Sequence, residues 1–240
     1  MLSIARSELQ QIVRNRMVFF SATVIPVGMS LLFIAQRDIF SQLPAGMGFL
    51  AGVFMMILIS MGLYSTAVTT LAARRQTLFL KRLRSTAISD SAALAGILGP
   101  PALIGVIQVA AVLTVLAVVT DLPAQIPLLI VSGLSLVLMM LGLALATAGV
   151  TTSPEHAQVT TLPVVLGTSA VAFWVGSTGT GELGMLKRVL PGGSATELTI
   201  NAWNGGTDLV DSLLLLPPTL GWVVIGVLLA KRFFRWEPRR

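Results

Sequence analysis

The sequence predicts an all-α, polytopic membrane protein, and three observations carry that prediction. Of its 240 residues 55% are hydrophobic and only 11% charged, and the mean hydropathy is +0.88. A soluble fold of that composition has too little charge to cover its exterior. The apolar residues gather in runs of about 20 or more, long enough at 1.5 Å per residue to cross a hydrocarbon core of about 30 Å. The bases gather between those runs, as they must, since one Lys or Arg at mid-bilayer costs about 2.5–3.5 kcal/mol.

Taken in order, residues 1–16 place Ile4, Leu9, Ile12 and Val13 at roughly helical spacing among Arg6, Arg14, Arg16 and Glu8. This predicts an amphipathic helix on the membrane surface, leading into a first span over 17–36. A cleaved signal peptide is disfavoured: the apolar run is too long, and no small-x-small cleavage site ends it. A second span, 46–72, carries Gly48-x-x-x-Gly52, which lets another helix approach closely. The third, 94–120, contains Pro100-Pro101; two missing backbone donors predict a kinked or late-starting helix.

Residues 121–125 suffice only for a turn, so the third span forms a hairpin with the fourth, 126–150, which carries Gly142-x-x-x-Ala146 and Ala144-x-x-x-Ala148. In the next turn Ser153 suits an N-cap, Pro154 the first helical position and Glu155 the positive end of the helix dipole. The fifth span, 157–177, is expected to bend at Pro163. The sixth, 211–230, contains Pro217-Pro218 and leads to a basic tail. With the N-terminus inside, thirteen of the sixteen Lys and Arg fall on the inner side. Only Arg37, Lys187 and Arg188 fall on the outer. That bias predicts six spans in one domain, 1–240, with both termini cytoplasmic.

Two connections have character of their own. Residues 74–88 hold five bases, Arg74, Arg75, Lys81, Arg82 and Arg84. On a helix at 100° per residue, Phe79, Leu80, Leu83 and Ala87 share one side and the bases the other; only Leu78 is out of place. This describes a helix lying on the membrane surface, although the same residues also suit a solvated loop that merely orients the protein. Near the sixth span, Pro191-Gly192-Gly193 breaks the chain. Ser194 and Glu197 have capping-box spacing, which predicts a short helix over 195–203 stopped by Asn204-Gly205-Gly206.

Several chemistries are excluded or disfavoured. There is no Cys and His156 is the sole histidine, so thiol chemistry and a histidine metal cluster are absent from one copy. No Gly-x-x-x-x-Gly-Lys-Ser/Thr occurs, so this chain has no nucleotide loop of its own. The bases sit at span ends, so the net charge of +6 does not indicate nucleic acid. Apart from Asp211 at the very start of the sixth, no Asp, Glu, Lys or Arg lies inside a span, which leaves a proton-coupled carrier or cation channel without machinery. Gln108, the one strong amide within a run, and Glu155 at the inner mouth are candidates for lining a path or for packing. Gly167-Thr168-Ser169-Ala170 faintly resembles a nucleophile motif but lacks its last Gly. His156, 13 residues away or about 20 Å along a helix, is too far to activate Ser169.

Two segments resemble the type-two ABC transporter permeases, a family that includes exporters of drugs, lipids and polysaccharides. The first is Gln76-Thr77-Leu78 followed by Lys81-Arg82-Leu83-Arg84-Ser85-Thr86-Ala87-Ile88-Ser89; it departs from the family pattern at Ala87, where Pro is common, and in the extra Leu80. The second is the stretch from Leu190-Pro191-Gly192-Gly193-Ser194 to Ala202. The resemblance implies an ATPase-coupling helix made of Arg75, Thr77, Leu78, Phe79, Leu80, Lys81, Arg82, Leu83, Arg84 and Thr86, with Phe79, Leu80 and Leu83 as the ridge that anchors in a partner's groove. It implies an outer-leaflet helix involving Pro191, Ser194, Glu197 and Leu198. It also implies a separate ABC ATP-binding subunit carrying ATP and Mg, a second permease copy or homologue, and a place in the plasma membrane. The expected activity is export of an amphipathic or hydrophobic substrate. An intramembrane hydrolase and a non-transporting membrane scaffold are the alternatives.

Overall fold

The computed structural model describes residues 2–14, 16–84, 88–234 and 236, and among them every regular element is helical. These are α1 (Leu2–Arg14), α2 (Ala22–Ala35), α3 (Gly46–Gln76), α4 (Phe79–Arg84), α5 (Asp90–Val119), α6 (Ile126–Val150), α7 (Pro154–Thr178), α8 (Gly193–Asn204) and α9 (Leu209–Phe233). Short helices also occur at Arg16–Phe19, Arg37–Phe40 and Gly184–Val189.

Five of these, α3, α5, α6, α7 and α9, are long and apolar enough to cross a bilayer. The expected first span is helical from Arg16 to Ala35, about 30 Å at 1.5 Å per residue. A π-helical turn, Phe20–Val24, lies within it and overlaps the start of α2. A second π-helical stretch, Leu58–Tyr64, interrupts α3. Between them lies Gln108 of α5, whose Nε2 donates to Ala22 O (3.1 Å) and to Thr23 Oγ1 (2.9 Å). The amide therefore ties α5 to the start of α2.

Proline acts differently in different helices. α5 does not begin late: the Ser89 hydroxyl accepts from Ala92 N–H (3.3 Å), and the helix runs from Asp90 through both Pro100 and Pro101. A membrane helix tolerates the lost bonds where neighbours enclose the proline, and both prolines are buried. In α7 and α9 proline instead opens a new helical stretch. α7 breaks at Thr161 just before Pro163, and α9 breaks at Leu214–Leu215 just before Pro217.

α3 is the central element, with Phe49, Leu50, Phe54, Met56, Leu58, Leu63 and Tyr64 enclosed. The glycines of Gly48-x-x-x-Gly52 meet α8: a Cβ on Gly48 would lie 2.8 Å from the Asn204 side chain, and one on Gly52 2.9 Å from Thr196 Cγ2. Asn204 answers with Oδ1 accepting from Gly48 N–H (3.0 Å) and Nδ2 donating to Ala45 O (2.7 Å). α6 meets α9 backbone to backbone, where a Cβ on Gly226 would come within 2.8 Å of Gly142 C. Much of the apolar surface of α5 and α9 stays exposed, including Ile107, Val118, Val224 and Leu228, as suits contact with lipid.

Candidate functional site

At the basic end, the helix expected over 74–88 is two elements. Arg74 and Arg75 close the last turn of α3, and the chain leaves the helix at Thr77 and Leu78 before α4 begins. Leu78, the residue that fitted no helical face, has φ +57. A left-handed backbone at a non-glycine residue costs about 1 kcal/mol. Here it redirects α4 so that Leu80 and Leu83 enter the chain's own core, at 0% and 8% exposure. The ridge expected to anchor in a partner is thereby corrected: apolar burial within the fold takes it first. Phe79 is half-buried, with the Arg74 guanidinium 5.3 Å over its ring. Thr77, Leu78 (44%), Lys81 and Arg82 face outward, and Arg82 Nη2 donates to Thr77 O (2.9 Å). Arg84 ends α4, while Ser85, Thr86 and Ala87 lie outside the described residues.

The base of α4 is held on two sides. Arg74 makes a two-pronged pair with Glu8 of α1, Nε to Oε1 at 2.6 Å and Nη2 to Oε2 at 2.7 Å, and it also donates to Gln11 Oε1. Glu8 is only 1% exposed. Arg75, 2% exposed, donates through Nη2 to Thr151 O in the α6–α7 turn. Thr151 Oγ1 in turn lies 2.8 Å from Thr160 Oγ1. In that turn Ser153 Oγ accepts from His156 N–H (3.2 Å), so the expected cap forms, with exposed Glu155 in the first turn. His156 Nδ1 is 3.0 Å from Thr152 Oγ1. Ser169 lies well along the helix beyond the Thr161 break, and nothing brings the two together.

The pairing of Glu8 escaped the sequence reading, although a signal was present. Ile4, Glu8 and Ile12 are four apart and share one helix face, so the carboxylate interrupts the apolar side of α1 and needs a partner there. Nothing local marked Thr151.

At the opposite end, α8 forms as expected and the capping box does not. The helix begins two residues earlier than a Ser194 cap requires, from Gly192 at φ +89, with Thr196 N–H bonded to Gly192 O (2.9 Å). Ser194 is inside the helix, its Oγ 2.9 Å from Thr219 Oγ1 of α9. Glu197 receives both Arg188 Nε (2.7 Å, Oε2) and Nη2 (2.7 Å, Oε1), and Thr180 Oγ1 at 2.7 Å. The bonds that Arg188 donates to Glu197 hold its pKa above the ordinary value, partial burial opposing. Leu198 is fully buried, and Pro191 lies half-buried in the preceding turn. Lys187, 1% exposed, donates to Thr178 Oγ1 (2.8 Å) and Gly179 O (2.6 Å) at the end of α7, 5.1 Å from the Trp174 ring. The ammonium thus sits at the negative end of the α7 dipole, where a cation is favoured.

Five apolar helices long enough to span, a short helix pinned at the basic end and a buried helix at the other describe a multi-pass membrane protein. The family model of the ABC-2 type transporter matches residues 1–170. The chain belongs to that family and is a membrane permease subunit of an ABC transporter. The match takes in α1, the Arg74–Arg84 region and the α6–α7 turn; α8 and α9 lie beyond it. No curated protein matches the chain.

Proposed function

We propose that this permease is the membrane half of an ATP-driven exporter, and that α4 with the preceding Thr77–Leu78 turn is where a separate ATPase subunit pushes. The observation that carries this reading is the way α4 is mounted. Its apolar side is sunk in the core, its outward side offers Leu78, Lys81 and Arg82, and its base is tied by Arg74 to α1 and by Arg75 to the α6–α7 turn. A displacement applied to the exposed side therefore has a route to α1 and to the α6–α7 turn through those contacts. The family's partnership with an ATP-binding subunit supports the reading, and ATP and Mg belong on that subunit.

The remaining parts follow from charge and composition. Six spans with α2 in the first and both termini cytoplasmic agree with the bias of bases toward one end; a plasma-membrane location is what the family resemblance implies. A pair of permeases, identical or homologous, works with two ATPase subunits. The cargo is amphipathic or hydrophobic, because the spans offer no fixed charge with which to recognise an ion. Neither Ser169 nor His156 is placed for hydrolysis, and no observation favours a scaffold.

The test is co-purification of the ATPase subunit with Leu78→Asp and with Lys81→Glu/Arg82→Glu. The reading expects loss of the ATPase while the permease reaches the membrane at its normal level. Retention of the ATPase by both variants would refute it. The chain has no cysteine, so Lys81→Cys reports sidedness directly and is expected to react only from the cytoplasm.

A further inference from the structure

α5 and α6 are consecutive helices joined through residues 120–125, yet toward that turn they leave a cleft between them with a volume of about 390 Å³. One wall is α5 from Val106 to Val118 and the other is α6 from Ile126 to Val137. Met55 of α3 lies behind, and Trp203 of α8 closes part of the end. Twelve residues of rise along α5 make the cleft about 18 Å long. One leaflet of a bilayer has a hydrocarbon depth of about 15 Å, half of the ~30 Å core. The cleft thus runs from mid-membrane to the surface in the leaflet remote from the basic end.

Its chemistry is uniform. Apart from the Trp203 indole, Thr114 is the one polar side chain in the lining, and its hydroxyl already donates to Ala110 O (2.7 Å). An apolar cavity without convergent polar groups does not hold water. Val118, Leu122, Ile130 and Leu134 are all more than half exposed. The cleft therefore opens sideways, onto the same surface that meets lipid. A long, narrow, apolar slot of leaflet depth, opening into the bilayer, fits one kind of occupant.

We propose that this cleft is a binding site for a single acyl chain of a lipid in that leaflet, seated lengthwise between α5 and α6. The lining contains nothing that would read a headgroup, so the site selects for the chain and not for the lipid class. The proposal does not depend on how the ATPase couples; it needs only that α5 and α6 cross the membrane.

The experiment uses the full chain in nanodiscs of palmitoyl-oleoyl phosphatidylcholine doped with a phosphatidylcholine bearing a diazirine midway along one acyl chain. After irradiation, adducts are mapped by mass spectrometry. The expected result is labelling of the cleft positions in 106–118 and 126–137 about fivefold above that of exposed Leu220, Val224 and Leu228 on α9. Gly133→Phe should bring cleft labelling down to the α9 level. A Cβ at Gly133 meets only Met55, at 3.7 Å, so the branch point fits while the ring fills the slot. Ala110→Phe fills it from the exposed side of α5 and keeps the test valid should Gly133→Phe fail to fold. Equal labelling of cleft and α9, or unchanged labelling in a folded filled variant, would overturn the proposal. So would a cleft without adducts, as expected if a second copy of the chain covers it.

Discussion

Arg74 and Arg75 are consecutive in the chain and are committed in different directions, the first to Glu8 of α1 and the second to the main-chain carbonyl of Thr151 between α6 and α7. Two adjacent residues on a helix project about 100° apart, so one turn of α3 grips two distant parts of the chain at once. α4 follows after the Thr77–Leu78 turn, so these contacts sit at its base.

The α1 contact has a measurable worth. Arg74→Ala leaves the Glu8 carboxylate without its ion-pair partner on a face that is nearly closed to water. The pair lies between a solvated and a buried one, since Arg74 keeps some exposure, so the loss is expected to be about 2 kcal/mol. Hydrogen exchange over residues 2–14 should rise sharply in Arg74→Ala. Glu8→Arg combined with Arg74→Glu should restore part of the protection. Unchanged exchange in the single variant would show that α1 is held by Ile4 and Ile12 alone.

Removing Arg75 is expected to cost more. Arg75→Ala opens a large hole and strips Thr151 O of a charged donor, which together are worth about 2–4 kcal/mol. Arg75→Lys keeps charge but not the guanidinium's reach or fork, and should recover only part of the loss. The thermal transition in detergent, followed by tryptophan fluorescence, checks this ordering: wild type above Arg75→Lys above Arg75→Ala.

The node at Gln108 is tight enough to be tested from both sides. A Cβ on Gly62 would sit 2.7 Å from Gln108 Oε1 and 3.2 Å from Ala22 O. Gly62→Ala must therefore displace the amide that ties α5 to α2. Gln108→Leu removes the same bonds, and a hydrogen bond between membrane helices is worth about 0.6 kcal/mol and rarely above 1.7. Both variants should lower stability, and the double variant should fall short of their sum, because each breaks one shared contact. Full additivity would mean that Gly62 and Gln108 act separately.

A fourth expectation concerns Leu80 and Leu78, neighbours in sequence with opposite fates. Leu80→Asp places a carboxylate where exposure is 0% and should reduce the amount of folded protein in the membrane severalfold. Leu78→Asp, on the exposed left-handed turn, should leave that amount unchanged. Equal loss in both would mean that Leu78 is buried when the transporter is assembled without its ATPase.

The membrane character, the presence of long apolar helices and the Ser153 cap were all legible in the sequence. Each depends on neighbours within a single turn or on a sum over about 20 residues, and such local terms survive whatever the tertiary arrangement does. The close approach at Gly48-x-x-x-Gly52 was legible too, as a place where something must pack, though not that α8 would pack there.

What only the tertiary structure decided is where the polar and amphipathic residues spend themselves. Glu8 and Arg74 are 66 residues apart, and Arg75 and Thr151 are 76; no periodicity links such positions. Ser194 and Glu197 had the spacing of a cap, but Thr219 and Arg188 took them, because a partner brought near by folding competes with the local backbone on equal terms. Leu80 and Leu83 had the look of a docking ridge and became core, since an apolar face buries itself against whatever the fold places beside it.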